Sequence, residues 1–184
     1  MKIKMILIFI CVAFDETVNA QPVYISRAAF VSFYSQAPIQ DILASSVQAV
    51  SIINFRNDSI YFKIPIKTFQ FERSLMQKHF NTEYLESDKY PFAEFKGKLL
   101  NFEWPAKDRV YNITVSGQMT IHGVSKIYEE QGTLELEGEK VKTSSSFSIR
   151  LADHAVRIPK LMFREITESV SVNVNANYII LKSK

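Results

Sequence analysis

From Ser169 to Leu181 the apolar residues Val170, Val172, Val174, Ala176, Tyr178 and Ile180 hold the even positions, with Ser171, Asn173, Asn175 and Asn177 between them. A period of two puts one set of side chains on a buried face and the other in water, which only extended chain does. Arg109 to Ile121 repeats the pattern, with Tyr111, Ile113, Val115, Met119 and Ile121 set against Asn112, Thr114, Ser116, Gln118 and Thr120. Shorter runs carry it too: Ile60, Phe62 and Ile64; Phe95, Gly97 and Leu99; Phe147, Ile149 and Leu151. Asn57-Asp58 and His122-Gly123 supply turn chemistry between such runs. Long alternating strands joined by short turns predict an all-β sandwich or barrel and exclude a parallel α/β sheet.

One segment has a different period. In Glu72 to Leu85, Met76, Phe80 and Tyr84 are four apart, and Leu75 and His79 form a second such row. Together they predict one apolar helical face, ended by Glu86-Ser87-Asp88 and Pro91. A helix inserted after a strand serves either as a plug for one end of a barrel or as a lid over it.

The amino terminus predicts export. Lys2 and Lys4 precede an uncharged run from Met5 to Phe14, and Val18-Asn19-Ala20 places small residues where a signal peptidase reads. Cleavage is expected before Gln21, leaving residues 21–184 as a single domain. An apolar run this short spans about half a bilayer core, so no permanent membrane span is expected. Cys11, the sole cysteine, lies within the leader and follows Ile10 rather than a small residue, which argues against lipoprotein acylation. The domain is left with no thiol for a disulfide, a metal site or nucleophilic attack. Lys2 and Lys4 leave together with Asp15 and Glu16, so the net charge stays at +3.

Most catalytic and nucleic-acid classes find no support. Lys and Arg are scattered, without the basic stripe of a nucleic-acid binder. The acidic block Glu129, Glu130, Glu135, Glu137 and Glu139 lacks the ordered oxygen alternation of a cation loop and reads as an exposed hairpin. Asp153-His154 near Ser148 hints at a triad, but no Gly-x-Ser-x-Gly elbow is present, and neighbours on a strand point to opposite faces. No two of the three histidines have the spacing that gives two metal ligands from one element. The expectation is no enzyme, no metal and no cofactor, with His79 in a hydrogen-bonded packing role and His122 capping or solvating a turn. Trp104-Pro105 fits a barrel rim or a packed loop.

At the helix the chain resembles a known family. The run from Ser74 to Leu99 carries His79-Phe80, the Tyr90-Pro91 corner and Ala93-Glu94-Phe95-Lys96-Gly97, a pattern similar to that of the YceI-like family of exported bacterial proteins. Gly117 to Val124 and Phe147 to Ile158 are similar as well, so the resemblance covers most of Ala28 to Ile180. Ala28 to Ala37 departs from it, lacking the histidine-containing opening of many members. The resemblance implies an eight-stranded antiparallel, lipocalin-like barrel, with the helix of about residues 72–85 packed at one end. It further implies a periplasmic or secreted binding protein for a polyisoprenoid or similar lipid.

The expected lining is the inward set Phe62, Ile64, Phe95, Tyr111, Ile113, Val115, Met119, Phe147, Ile149, Val170, Val172, Val174 and Tyr178, with Met76, Phe80 and Tyr84 at the closed end. Such a lining suits an alkyl or prenyl chain. The same residues would pack a dry barrel acting as an interaction module, and the sequence leaves that alternative, and a homodimer, open.

Overall fold

The computed structural model describes residues 22–36, 41–103, 107–157 and 169–181. The expected leader at residues 1–20, Trp104 and the end of the Phe147 to Ile158 segment lie outside them. The strands are β1 (Val23–Ser35), β2 (Ile42–Asn54), β3 (Ser59–Pro65), β4 (Gln70–Phe71), β5 (Phe92–Leu99), β6 (Val110–Ile121), β7 (Val124–Glu137), β8 (Lys140–Arg150) and β9 (Ser169–Ile180). All pair antiparallel in the order β1-β9-β8-β7-β6-β5-β3-β2, and β1 pairs with β2 to close the barrel. β4, only two residues long, takes over from β3 along β2, pairing Phe71 with Ala44. Closure satisfies edges that an open sheet would expose.

The alternation holds where it was legible. In β9, Val172, Ala176 and Tyr178 are buried while Ser171, Asn173, Asn175 and Asn177 are exposed. In β1 and β2 it breaks in mid-strand. Tyr24 and Ser26 are buried on even positions, then Ala29, Val31 and Ser35 on odd ones. β2 switches from Ala44 and Ser46 to Ala49, Ser51 and Ile53. The β1–β2 register shifts on either side of Ala29, marking bulges that add the local twist a closing barrel needs.

His122-Gly123 forms the β6–β7 hairpin turn with positive φ at both residues, +50° and +73°. This is the conformation of a type I′ turn, which matches strand twist. The Tyr90 ring lies over Gly123, where a Cβ would come within 2.5 Å of it.

The two barrel ends are packed differently. At one end Tyr24, Phe55, Phe102 and Tyr111 form a chain of ring contacts 5.1–5.6 Å apart. At the other, the α-helix is shorter than its sequence period suggests. It runs from Ser74 to His79 and then widens into a π-turn from Phe80 to Tyr84. Leu75 stands at the edge of the expected apolar face, about 100° round the helix from Met76, and is 63% exposed, while Phe80 and Tyr84 are buried. His79 sits beside Glu83, with Nδ1 2.6 Å from the carboxylate. The helix acts through Phe80, whose ring meets Phe33, Phe69 and Phe71 at 4.9–5.7 Å.

Candidate functional site

Beneath this aromatic cap the barrel is hollow. A cavity of about 180 Å³ extends down from the helix end. β1, β3, β5, β6, β8 and β9 all contribute to its wall, and the cap supplies Met76, Phe80 and Tyr84. It presents no polar surface to its interior. A second cavity of about 120 Å³ lies further along the barrel and shares Phe62, Phe95, Met119, Phe147 and Val174 with the first. These five side chains form a waist between two adjoining chambers.

The expected lining residues come together here, with one exception. Ile64, Ile149, Val170 and Val172 border the larger chamber; Ile113, Val115 and Tyr178 border the smaller. Tyr111 borders neither. It has the inward register of its neighbours but lies near the start of β6, where its ring meets Phe102 and its hydroxyl donates to the Lys107 carbonyl at 2.8 Å. Its position belongs to the packed end rather than to the hollow middle.

Several groups at the site escape a reading by period. Val31, Phe33 and Ile42 line the larger chamber from the bulged strands, where alternation is interrupted. Ile66, Phe69 and Phe71 do so from the short 3-10 turn and β4. Gly97 and Gly117 face one another across β5 and β6, and a Cβ on Gly117 would lie 2.3 Å from the Gly97 Cα. The lack of side chains lets the Phe95 ring fold along the wall over Gly97.

The inward face also holds more polar groups than expected. His154 is not on a strand; it ends a 3-10 turn from Leu151 and is completely buried against the larger chamber. Its Nδ1 lies 3.0 Å from the Val124 carbonyl, which can only accept, so Nδ1 carries the proton. Nε2 then accepts from the Tyr128 hydroxyl at 3.0 Å. Both nitrogens are committed to holding the 3-10 turn against β7, which leaves neither for proton transfer. His122 does more than solvate its turn: it reaches Glu86 at 2.6 Å and the His154 carbonyl at 3.3 Å, tying the helix exit to the barrel rim. In the smaller chamber Glu130 faces inward between exposed Glu129 and Gln131, and burial raises its carboxyl pKa. Tyr178, also raised by burial, has its hydroxyl 2.8 Å from Ser51. Among the described residues no group of three or more His, Cys, Asp or Glu is placed to hold a metal, and no helix is long and apolar enough to cross a membrane.

An eight-stranded antiparallel barrel, closed at one end by packed rings and hollow beneath a helical cap at the other, defines the lipocalin-like class of β-barrels. Within that class the chain belongs to the YceI-like family, whose domain model matches residues 27–178. No curated protein sequence matches it. Among solved structures it is similar to a polyisoprenoid-binding domain from Saccharophagus degradans implicated in plant cell wall breakdown. That match has 14% identity and a TM-score of 0.75, covering 88% of this chain and 99% of that one. BcnA from Burkholderia cenocepacia is similar at 14% identity and a TM-score of 0.66, covering 81% and 95%. The YceI protein of Campylobacter jejuni matches at 14% and 0.61, covering 80% and 90%.

Proposed function

We propose that this chain is an exported carrier that holds one long apolar molecule, a polyisoprenoid or similar lipid, in the two chambers of its barrel. The observation that carries the reading is the larger chamber, an interior void whose exposed surface is wholly apolar. Native cores hold few voids larger than a water, so a cavity of about 180 Å³ in the barrel is room that suits a ligand. Its wall offers shape and apolar contact, and the polar residues at its border have their hydrogen-bonding atoms turned elsewhere. Hydrocarbon is the chemistry that gains from such a lining.

A binding role also fits the state of the titratable groups. His154 has both ring nitrogens occupied, and no serine or threonine is placed against it as a nucleophile by any hydrogen bond in the described residues. The polyisoprenoid-binding relative supports the ligand class, and the residue pattern of the first twenty positions supports export.

The test is organic extraction of protein purified from the export compartment of its native host, followed by mass spectrometry. One apolar molecule per chain is the expected result. Protein that carries none, and takes up none when offered a prenyl lipid, would instead act through its surface as a dry module.

A further inference from the structure

The two chambers differ in one respect that bears on what the ligand's ends look like. β7 and β8 pair from Glu137 and Lys140 as far as Gly132 and Ser145, and there the ladder stops although both strands continue. At that point Gly132 brings the strands close: a Cβ there would lie 2.7 Å from the Ser144 carbonyl oxygen. The smaller chamber reaches the wall at this place, and Glu130, Thr143, Ser145 and Tyr178 border it. An apolar barrel therefore has one polar pole, set where two strands part.

The hydroxyls at that pole have already placed their protons. Ser145 donates to the Gln131 carbonyl at 2.6 Å. Thr143 donates to the Tyr178 hydroxyl at 3.4 Å, and Ser51 donates to the Tyr61 carbonyl at 3.0 Å, so Tyr178 donates to Ser51. Glu130 is different. It is half-buried, faces the chamber, and has no hydrogen bond or ion pair among the described residues. No lysine or arginine borders either chamber. On the neighbouring β8, Lys142 is engaged outside with Glu135 and Glu137.

Resting on the carrier reading above, we propose that the smaller chamber seats the ligand's head. Glu130 accepts a hydrogen bond from an uncharged hydroxyl on that head, while the hydrocarbon chain passes the Phe62 and Phe95 waist into the larger chamber. An anionic head is disfavoured at this pole, since it would give up water for a chamber with no counter-charge and with a carboxyl group already facing it. A carboxylate accepts from a hydroxyl, which an alcohol head offers and a diphosphate does not.

The test uses the delipidated protein and three probes of one skeleton: farnesene with no head, farnesol, and farnesyl diphosphate. Farnesol is expected to bind about tenfold more tightly than the diphosphate, and Glu130→Leu to weaken farnesol about fivefold while leaving farnesene unchanged. Glu130→Gln, which keeps an acceptor oxygen, should hold farnesol within about twofold of the parent. Diphosphate binding as tightly as farnesol, or farnesol binding insensitive to Glu130→Leu in a folded protein, overturns the head assignment and leaves the carrier reading standing. Failure of all three probes, farnesene included, removes the carrier reading and the assignment with it. The farnesol-to-diphosphate preference of the parent protein decides the matter even where Glu130→Leu does not fold.

Discussion

Replacing Phe80 by alanine tests whether the helical cap is part of the core. The ring is 8% exposed, stacks on Phe33 at 5.5 Å and meets Phe71 and Phe69 at 4.9 and 5.7 Å. Truncating a buried phenylalanine costs about 3–5 kcal/mol, made of lost transfer energy and the cavity left behind. Here the ring already borders a void of about 180 Å³, so part of its surface has no packed neighbour to lose. That places the cost at the lower bound, about 3 kcal/mol, or a fall in Tm of roughly 6–12 °C for a domain of this size. Leu75→Ala is the control: at 63% exposure it should change stability by no more than about 0.5 kcal/mol. Urea unfolding of delipidated protein is the assay, because bound ligand would add its own binding energy to every value. Equal stabilities for the two variants would mean that the segment does not cap the barrel, and that the larger chamber is open at that end.

Gly123→Ala should destabilise by at least about 1–2 kcal/mol in thermal melts, since the residue holds φ +73° and its new Cβ would meet the Tyr90 ring; a neutral result would remove the I′ turn. Tyr178→Phe should cost about 1–3 kcal/mol by denaturant unfolding, because it strips fully buried Ser51 of a partner at 2.8 Å. A change within error would show that this hydroxyl relay contributes nothing.

Much of the barrel could be read from the sequence because β6 and β9 alternate over their whole length, so one face is visible as a list of even or odd positions. The register of Val172, Val174 and Tyr178 follows from that alone, and a slip of one residue would have exchanged the faces. β1 and β2 hide theirs: the bulges near Ala29 change parity in mid-strand, so Val31 and Phe33 carry no periodic signal as lining residues. Leu75 misleads for the opposite reason. It shows a helical period, but it stands at the margin of the apolar face, about 100° round from Met76, and the barrel leaves it exposed. Glu130 sits in an acidic run that reads as solvated. Only the parity of β7, set by buried Leu134 and Leu136, turns it inward. Tyr111 shows the limit of parity itself, which gives the face of a strand but not the height along the barrel.

Holding a ligand requires a hollow barrel, and Val172→Phe probes this most directly. Val172 is 7% exposed and borders the larger chamber, so the added ring enters space that a ligand would occupy. Melting and lipid retention are measured on the same preparation. The prediction is loss of bound lipid with the fold kept and stability of the delipidated protein changed little. Destabilisation of about 1–3 kcal/mol, the cost of overpacking, in a protein that never held lipid would contradict it.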